Sequence, residues 1–539
     1  MRGIRLREHI YMRTTMYFGA AVLAMLGPGL ATARECSGLK DTAPPNSEIT
    51  ATRLQPAGLF VIPPELGPER TVTLPSFCRV EGVLRPTPAS DIRFEVWLPA
   101  DWNGRFHGVG NGGFAGSIGY SGLAAAVQGG YAAAATDTGH KAGGTDATWA
   151  MGHSEKVVDF GWRAVHLTTL AGKSLAEAFY GSPPRRSYFI SCSNGGRQGL
   201  MEAQRFPEDY DGIIAGAPAY NWTGLFTGFV WNAQALSKPG AFVPATKTPA
   251  IARAVLAQCD AGDGLADGLV NDPRQCRFDP GTLACGSNET DECLTDPQVT
   301  ALHAIYQGPR TSKGEHIYFG FPPGGEAAPD SAGWDAWIFG ATPGASIQNA
   351  FGSNFVKHVV GAPEPWTPAD FDFDRDFEPL HAKSSATFNA TDPDLSRFAA
   401  RGGKLILWHG WSDAAIPALG TIEYHDQVVR HTGASTAASF LRLFLVPGMH
   451  HCAGGTGPSD FGQGGVSPTN KDPGGSLAAA LEAWVEQDRA PEHVIARELP
   501  RPGDTEGQRT GMICAYPKRA VLRPGADPMH ANSYECRDP

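Results

Sequence analysis

The segment Ser191-Cys192-Ser193-Asn194-Gly195 stands between an apolar run, Tyr188-Phe189-Ile190, and a stretch of helical character from Arg197 to Gln204. Small residues on both sides of a central serine are what a sharp strand-to-helix turn demands, since the serine is held in a strained backbone with its hydroxyl exposed above a sheet. A chain with such a turn must build a sheet whose strands feed into helices. Ser193 is the candidate nucleophile. Cys192 beside it has a counterpart far along the chain, because His451 is likewise followed by Cys452. A disulfide between these cysteines would tie a nucleophile to its base through the backbone.

A serine hydroxyl is a poor nucleophile until a base takes its proton, and the base works best when a carboxylate fixes its tautomer. His409-Gly410-Trp411-Ser412-Asp413 follows the apolar run at 404–408, and Pro447-Gly448-Met449-His450-His451-Cys452 follows that at 441–446. Each run places a candidate on a loop past the C-terminal end of a strand. The order Ser193, Asp413, His451 is that of an α/β-hydrolase. His450 is an alternative base, but the matched cysteines favour His451. His409, four residues before Asp413, is expected to line the substrate pocket. A metal reading of His409, His450 and His451 lacks an HExxH-like spacing. An oxyanion needs backbone N–H donors: Asn194 follows the nucleophile, and the glycine-rich run 108–116 can bring a second backbone close. No helix start with a ribose-binding acid follows that run, which argues against a dinucleotide site.

Short apolar runs alternate with helical patterns at 94–98, 131–135, 159–180 and 212–216, and again at 404–408, 441–446 and 476–488. This alternation predicts a mostly parallel sheet covered by helices. The stretch between is rich in Gly, Pro and aromatics. The expected architecture is therefore an α/β-hydrolase catalytic core over 34–219 and 391–539, interrupted by a lid domain over 220–390. Within the lid, Cys259-Asp260-Ala261-Gly262-Asp263-Gly264-Leu265-Ala266-Asp267-Gly268-Leu269 offers hard oxygen ligands suited to Ca²⁺. The carboxylates of Asp260, Asp263 and Asp267 and the carbonyls of Leu265 and Leu269 are the candidates; a solvated acidic turn is the alternative.

Residues 1–33 carry Arg2, Arg5, Arg7 and Arg13, then an apolar stretch from Tyr17 to Leu30, then Ala31-Thr32-Ala33. That is the pattern of a signal peptide, implying a secreted or periplasmic protein. The formal net charge of −11 becomes more negative once the leader's arginines are removed, which argues against nucleic acid or an anionic membrane as partner. All ten cysteines lie beyond the cleavage site, an even number that implies disulfides in an exported chain. Sequence order suggests local pairs Cys36–Cys78, Cys259–Cys276, Cys285–Cys293 and Cys514–Cys536, leaving Cys192–Cys452 as the long-range pair. A zinc site competes, but CxxC is absent and the spacings are irregular.

The Cys-Ser turn with Gly195-Gly196-Arg197-Gln198 behind it, the segment ending in Asp413, the Pro-Gly-Met-x-His-Cys segment and the Asp-rich loop together resemble the tannase and feruloyl esterase family. The resemblance covers nearly the whole chain beyond the leader. It implies a serine esterase with Ser193, Asp413 and His451 as triad, Gly113 and Asn194 as oxyanion donors, a structural Ca²⁺ on the five ligands named above, and the same five cysteine pairs. The family includes a hydrolase of mono(2-hydroxyethyl) terephthalate that grips a free carboxylate with a lid arginine. The corresponding stretch here, Ser346 to Phe351, has none. The lid aromatics Trp334, Trp337, Phe339, Phe351 and Phe355 suit stacking on an aromatic acid, with Trp337 the substrate-binding candidate. A small hydroxycinnamate or gallate ester is the expected substrate; a silent, calcium-stabilised binding protein is the reading from another class.

Overall fold

The computed structural model describes residues 35–63, 70–327, 333–465, 470–498 and 509–539, so the expected leader at 1–33 lies outside the described residues. A nine-stranded sheet organises the molecule. Its strands are β1 (Ser47–Gln55), β2 (Phe77–Leu84), β3 (Ile92–Pro99), β4 (Arg105–Val109), β5 (Ala132–Thr136), β6 (Arg186–Cys192), β7 (Gly212–Gly216), β8 (Lys404–Gly410) and β9 (Leu441–Val446). Across the sheet they lie in the order β1-β2-β3-β5-β4-β6-β7-β8-β9. The pairings among β1, β2, β3 and β5 are antiparallel and those from β5 onward are parallel. This is the α/β-hydrolase fold. The antiparallel start at β1 and β2 adds to the parallel runs read from the sequence.

The helices that matter below are α1 (Tyr120–Gln128), α2 (Ala164–Tyr180), α3 (Asn194–Arg205), α4 (Trp222–Ser237), α5 (Ile347–Asn354), α6 (Phe377–Phe388), α7 (Ala418–Thr432) and α8 (Leu477–Gln487). Successive side chains of a strand point to opposite faces, and the parallel strands are buried on both, which is why they read as continuous apolar runs. Phe189, Ile213, Ala215, Leu405 and Leu407 face the layer of α2, α3 and α7. Tyr188, Ile190, Ile214, Ile406 and Trp408 face α1 and α8. Helix α2 buries Val165, Thr168, Thr169, Gly172, Leu175 and Ala176, a stripe at helical spacing, and stops at Gly181, whose φ of 75° few other residues tolerate.

The insertion between β7 and β8 contributes no described strand to this sheet. Its helices pack through Trp222, Phe226, Phe351, Phe355 and Phe388 into a third cluster, together with Phe114, Phe160 and Ala414 to Ile416 from the core. Core residues inside the insertion's own apolar cluster fix it over the loops at the carboxyl ends of the strands. The five disulfides are present in the pairs expected, four local and Cys192–Cys452 across 260 residues of sequence. No described helix is long and apolar enough to cross a membrane.

Candidate active site

Strand β6 delivers Cys192 to the edge of the sheet, and the next residue, Ser193, sits at φ 67° and ψ −127° before α3 begins. L-residues rarely adopt this conformation, which costs on the order of 1–3 kcal/mol and persists only where the surroundings impose it. Ser193 N donates to Gly216 O at 2.9 Å and Ala219 N donates to Ser193 O at 3.2 Å, pinning the turn to the end of β7. A Cβ at Gly195 would collide with the Ser191 side chain and one at Gly196 with the Gly216 carbonyl, so both positions need glycine.

The loops after β8 and β9 are laced together by Trp411 N to Val446 O at 2.9 Å and Ser412 N to Met449 O at 3.0 Å. Through them Asp413 and His451 meet. His451 Nδ1 lies 2.8 Å from Asp413 Oδ2, and His451 Nε2 lies 2.9 Å from Ser193 Oγ. An ionised carboxylate only accepts, so the Asp413 contact puts the imidazole proton on Nδ1 and leaves Nε2 free to accept from the serine hydroxyl. Asp413 Oδ1 accepts from Ala415 N at 2.7 Å and Ile416 N at 2.9 Å. Burial pushes the Asp413 carboxyl up, but the two neighbouring imidazoles, His451 and His409, outweigh it and hold it well below the ordinary carboxylate range. His450 is fully buried, and its main-chain N–H donates to Gly454 O at 3.2 Å.

His409 corrects an expectation. It does not line a pocket: it is completely buried, with Nε2 2.9 Å from Ile416 O and 3.2 Å from Asp413 Oδ2, and Nδ1 2.7 Å from Thr421 Oγ1 of α7. Both neighbours of Nε2 are acceptors, so that nitrogen carries a proton and His409 supports Asp413 from behind. The cause is strand parity. Leu405, Leu407 and His409 share one face of β8, and that face looks onto α7.

Asn194 opens α3, where a backbone N–H has no partner within the helix. Gly113 lies in the loop after β4 at φ 53°, a conformation suited to glycine, where a Cβ would strike the Gly144 carbonyl. That loop is fastened by Phe114 N to Gly144 O at 2.7 Å and by His140 Nε2 to Phe114 O at 2.8 Å. Burial lowers the His140 pKa to about 4, so the ring is neutral and donates from Nε2. Trp337 stands edge-on over His451, centroids 5.5 Å apart, and parallel to Phe351 at 6.2 Å. Phe351 in turn contacts Phe114 at 5.5 Å and Phe226 at 5.9 Å. An aromatic wall thus runs from the imidazole to the glycine-rich loop. Trp334, Phe339 and Phe355 are buried in the insertion's core. In α5, Asn349 Nδ2 donates to Gly344 O at 2.6 Å and its Oδ1 accepts from Ser353 Oγ at 3.1 Å.

In the Asp-rich loop, Asp260 turns its carboxylate inward, accepting from Asp267 N at 3.0 Å and from Gly268 N. Asp267 accepts from Leu269 N at 3.2 Å and pairs with Arg509. Gly264 and Gly268 take left-handed turns within the loop, at φ 93° and 79°. The Asp263 side chain lies outside the described residues.

The sequence matches the tannase and feruloyl esterase family over residues 78–537. It is 41% identical to an uncharacterized esterase of Xanthomonas campestris pv. campestris, over 96% of this chain and 94% of that protein. It is 32% identical to the mono(2-hydroxyethyl) terephthalate hydrolase of Piscinibacter sakaiensis, over 96% of this chain and 90% of that one. The crystal structure of feruloyl esterase B from Aspergillus oryzae superposes with a TM-score of 0.83 at 31% identity, covering 93% of this chain and 99% of that chain. A nucleophile turn, an imidazole and a carboxylate on three strand ends of an α/β-hydrolase sheet agree with these likenesses, and the chain belongs to the tannase and feruloyl esterase family of carboxylic ester hydrolases.

Proposed function

We propose that the protein is an exported serine esterase that cleaves esters of small aromatic acids through an acyl-enzyme at Ser193. The observation that carries this reading is the unbroken line Ser193 Oγ, His451, Asp413, with 2.9 Å and 2.8 Å between its members. His451 Nε2 takes the proton as Ser193 Oγ adds to the ester carbonyl, and the negative charge gathers on the carbonyl oxygen facing the N–H groups of Gly113 and Asn194. Collapse of the adduct expels the alcohol, which receives the proton from His451. Water then repeats the sequence on the acyl-enzyme and frees the acid. Asp413 holds the reactive tautomer throughout, so Asp413→Asn should lower kcat on the order of 10⁴-fold with KM little changed, measured on any hydrolysed ester.

The acyl group of this reading is a hydroxycinnamate or gallate, stacked against Trp337 and Phe351. A free carboxylate on the substrate would be buried here without a cation, because α5 carries Asn349 where a lid arginine would serve. On methyl ferulate, methyl gallate and mono(2-hydroxyethyl) terephthalate, kcat/KM should be at least about 10-fold higher for one of the first two than for the terephthalate monoester. Asn349→Arg should raise the monoester rate about 5-fold, the worth of ~1 kcal/mol from a half-exposed ion pair. A preference for the monoester in the unaltered enzyme would overturn the substrate assignment.

Ca²⁺ held by Asp260, Asp263 and Asp267 and the carbonyls of Leu265 and Leu269 would supply a cross-link to the loop and no chemistry to the ester. Chelation should therefore lower the melting temperature by several degrees while leaving kcat below the transition intact, since an ion that binds only the folded state adds to its stability. Export is supported by the leader pattern and by five disulfides, which persist in oxidising compartments.

A further inference from the structure

We infer that Arg197 and Gln198, in the first two turns of α3, form a clamp that sets the position of both oxyanion donors and acts on the transition state without touching substrate. The inference rests on the assignment of Gly113 and Asn194 proposed above.

Gln198 holds the glycine-rich loop. Its amide is buried at 1% exposure, its Oε1 accepting from Asn111 N at 3.0 Å and its Nε2 donating to Asn111 Oδ1 at 3.1 Å. Asn111 passes the restraint on through Nδ2, which donates to Thr136 O at 2.7 Å and Ser117 O at 2.9 Å. Those bonds tie the two ends of the loop that carries Gly113 to each other and to β5. The fit is close: a Cβ at Gly110 would lie 2.9 Å from Gln198 Oε1 and 2.6 Å from Ser191 Oγ. The helix that begins at the nucleophile thus also grips the opposite wall of the site, two residues from Gly113.

Arg197 holds the other donor. Its side chain is fully buried, yet it makes no ion pair among the described residues. Its Nε donates to Asn194 Oδ1 at 2.8 Å, Nη1 to Gly161 O at 2.8 Å and Phe388 O at 3.2 Å, and Nη2 to Phe160 O at 3.4 Å. The guanidinium also lies 4.9 Å from the Trp222 ring and 5.3 Å from the Phe160 ring. Burial lowers its pKa to about 9, which leaves it cationic at neutral pH. A buried cation with no carboxylate is costly, and carbonyl dipoles and ring faces offset that cost here. A neutral residue could hold Asn194 more cheaply. What the cation adds is a fixed positive field one helical turn behind the Asn194 N–H, in a low-dielectric setting where negative charge develops during reaction.

Gln198→Leu and Arg197→Met should each lower kcat roughly 10- to 100-fold with KM within about 2-fold, because displaced oxyanion donors weaken the transition state and not the bound ester. Inhibition by phenylboronic acid, which forms a tetrahedral anion on an active serine, should weaken by the same factor as kcat/KM. Arg197→Lys keeps the charge and should lose less than Arg197→Met. If Arg197→Met does not fold, Gln198→Leu decides, its apolar side chain being close in volume. Folded variants with unchanged kcat and boronate affinity, and only a lowered melting temperature, would overturn the clamp. A fluorophosphonate that labels Ser193 in the wild type alongside such variants leaves the serine mechanism standing; failure to label the wild type removes that mechanism and the clamp with it.

Discussion

Ser193→Ala and His451→Ala should each lower kcat by on the order of 10⁶-fold, and the double variant should be no more than a few-fold worse than either single one. The non-additivity is the informative part. The hydroxyl and the imidazole stand 2.9 Å apart, and in a serine and base that act as one proton-transfer unit the loss of either removes the whole contribution. Independent contributions would instead multiply. Steady-state rates on one activated ester, with active-site concentration set by protein mass, are enough to tell these outcomes apart. Retention of most activity by His451→Ala, with loss in His450→Ala, would transfer the base to a residue that the structure buries against backbone.

The second large effect concerns Cys192–Cys452. The two Cα atoms are 5.9 Å apart, one cysteine directly before Ser193 and the other directly after His451. The backbone is unusual on both sides of the bond: Ser193, next to Cys192, has φ 67°, and Cys452 itself has φ 65°. Replacing both cysteines by alanine should lower kcat on the order of 10²-fold at temperatures where the variant remains folded, since a displacement of ~1 Å between base and nucleophile costs that much. A bond that closes so long a loop also stabilises the fold, by ~2–5 kcal/mol. Measuring activity and melting on the same sample separates the two roles. A variant that melts much earlier yet keeps full activity below its transition would assign the bond to stability alone.

The parallel half of the sheet was legible because strands buried on both faces have little choice but to be apolar, as in β7, where all five residues are buried. The antiparallel edge was not. Strand β1 is SEITATRLQ, polar at most positions and half-exposed, because an edge strand has little to bury. Ser193, Asp413 and His451 could be read from order and from the loops that follow apolar runs, since a shared geometry leaves a trace in each local segment. His409 was misplaced because proximity in sequence to Asp413 says nothing of direction; the parity of β8, with Leu405 and Leu407 on the α7 side, carried the answer. Nothing in the local sequence around Arg197 and Gln198 signals that the 111–117 loop and the insertion cover them. Burial of that kind is set by contacts between residues far apart in sequence, such as Arg197 with Phe388, 191 positions on.

Whether Ser193 is an activated nucleophile is decided by covalent labelling of the folded protein with a fluorophosphonate followed by peptide mapping. An activated serine attacks phosphorus while ordinary serines do not, because only the former has a base in place to take its proton. One label per chain is expected, on Ser193, with loss of esterase activity in proportion to labelling and no reaction after unfolding or in His451→Ala. A folded, active protein that takes no label, or that is labelled elsewhere while Ser193 stays free, would contradict it.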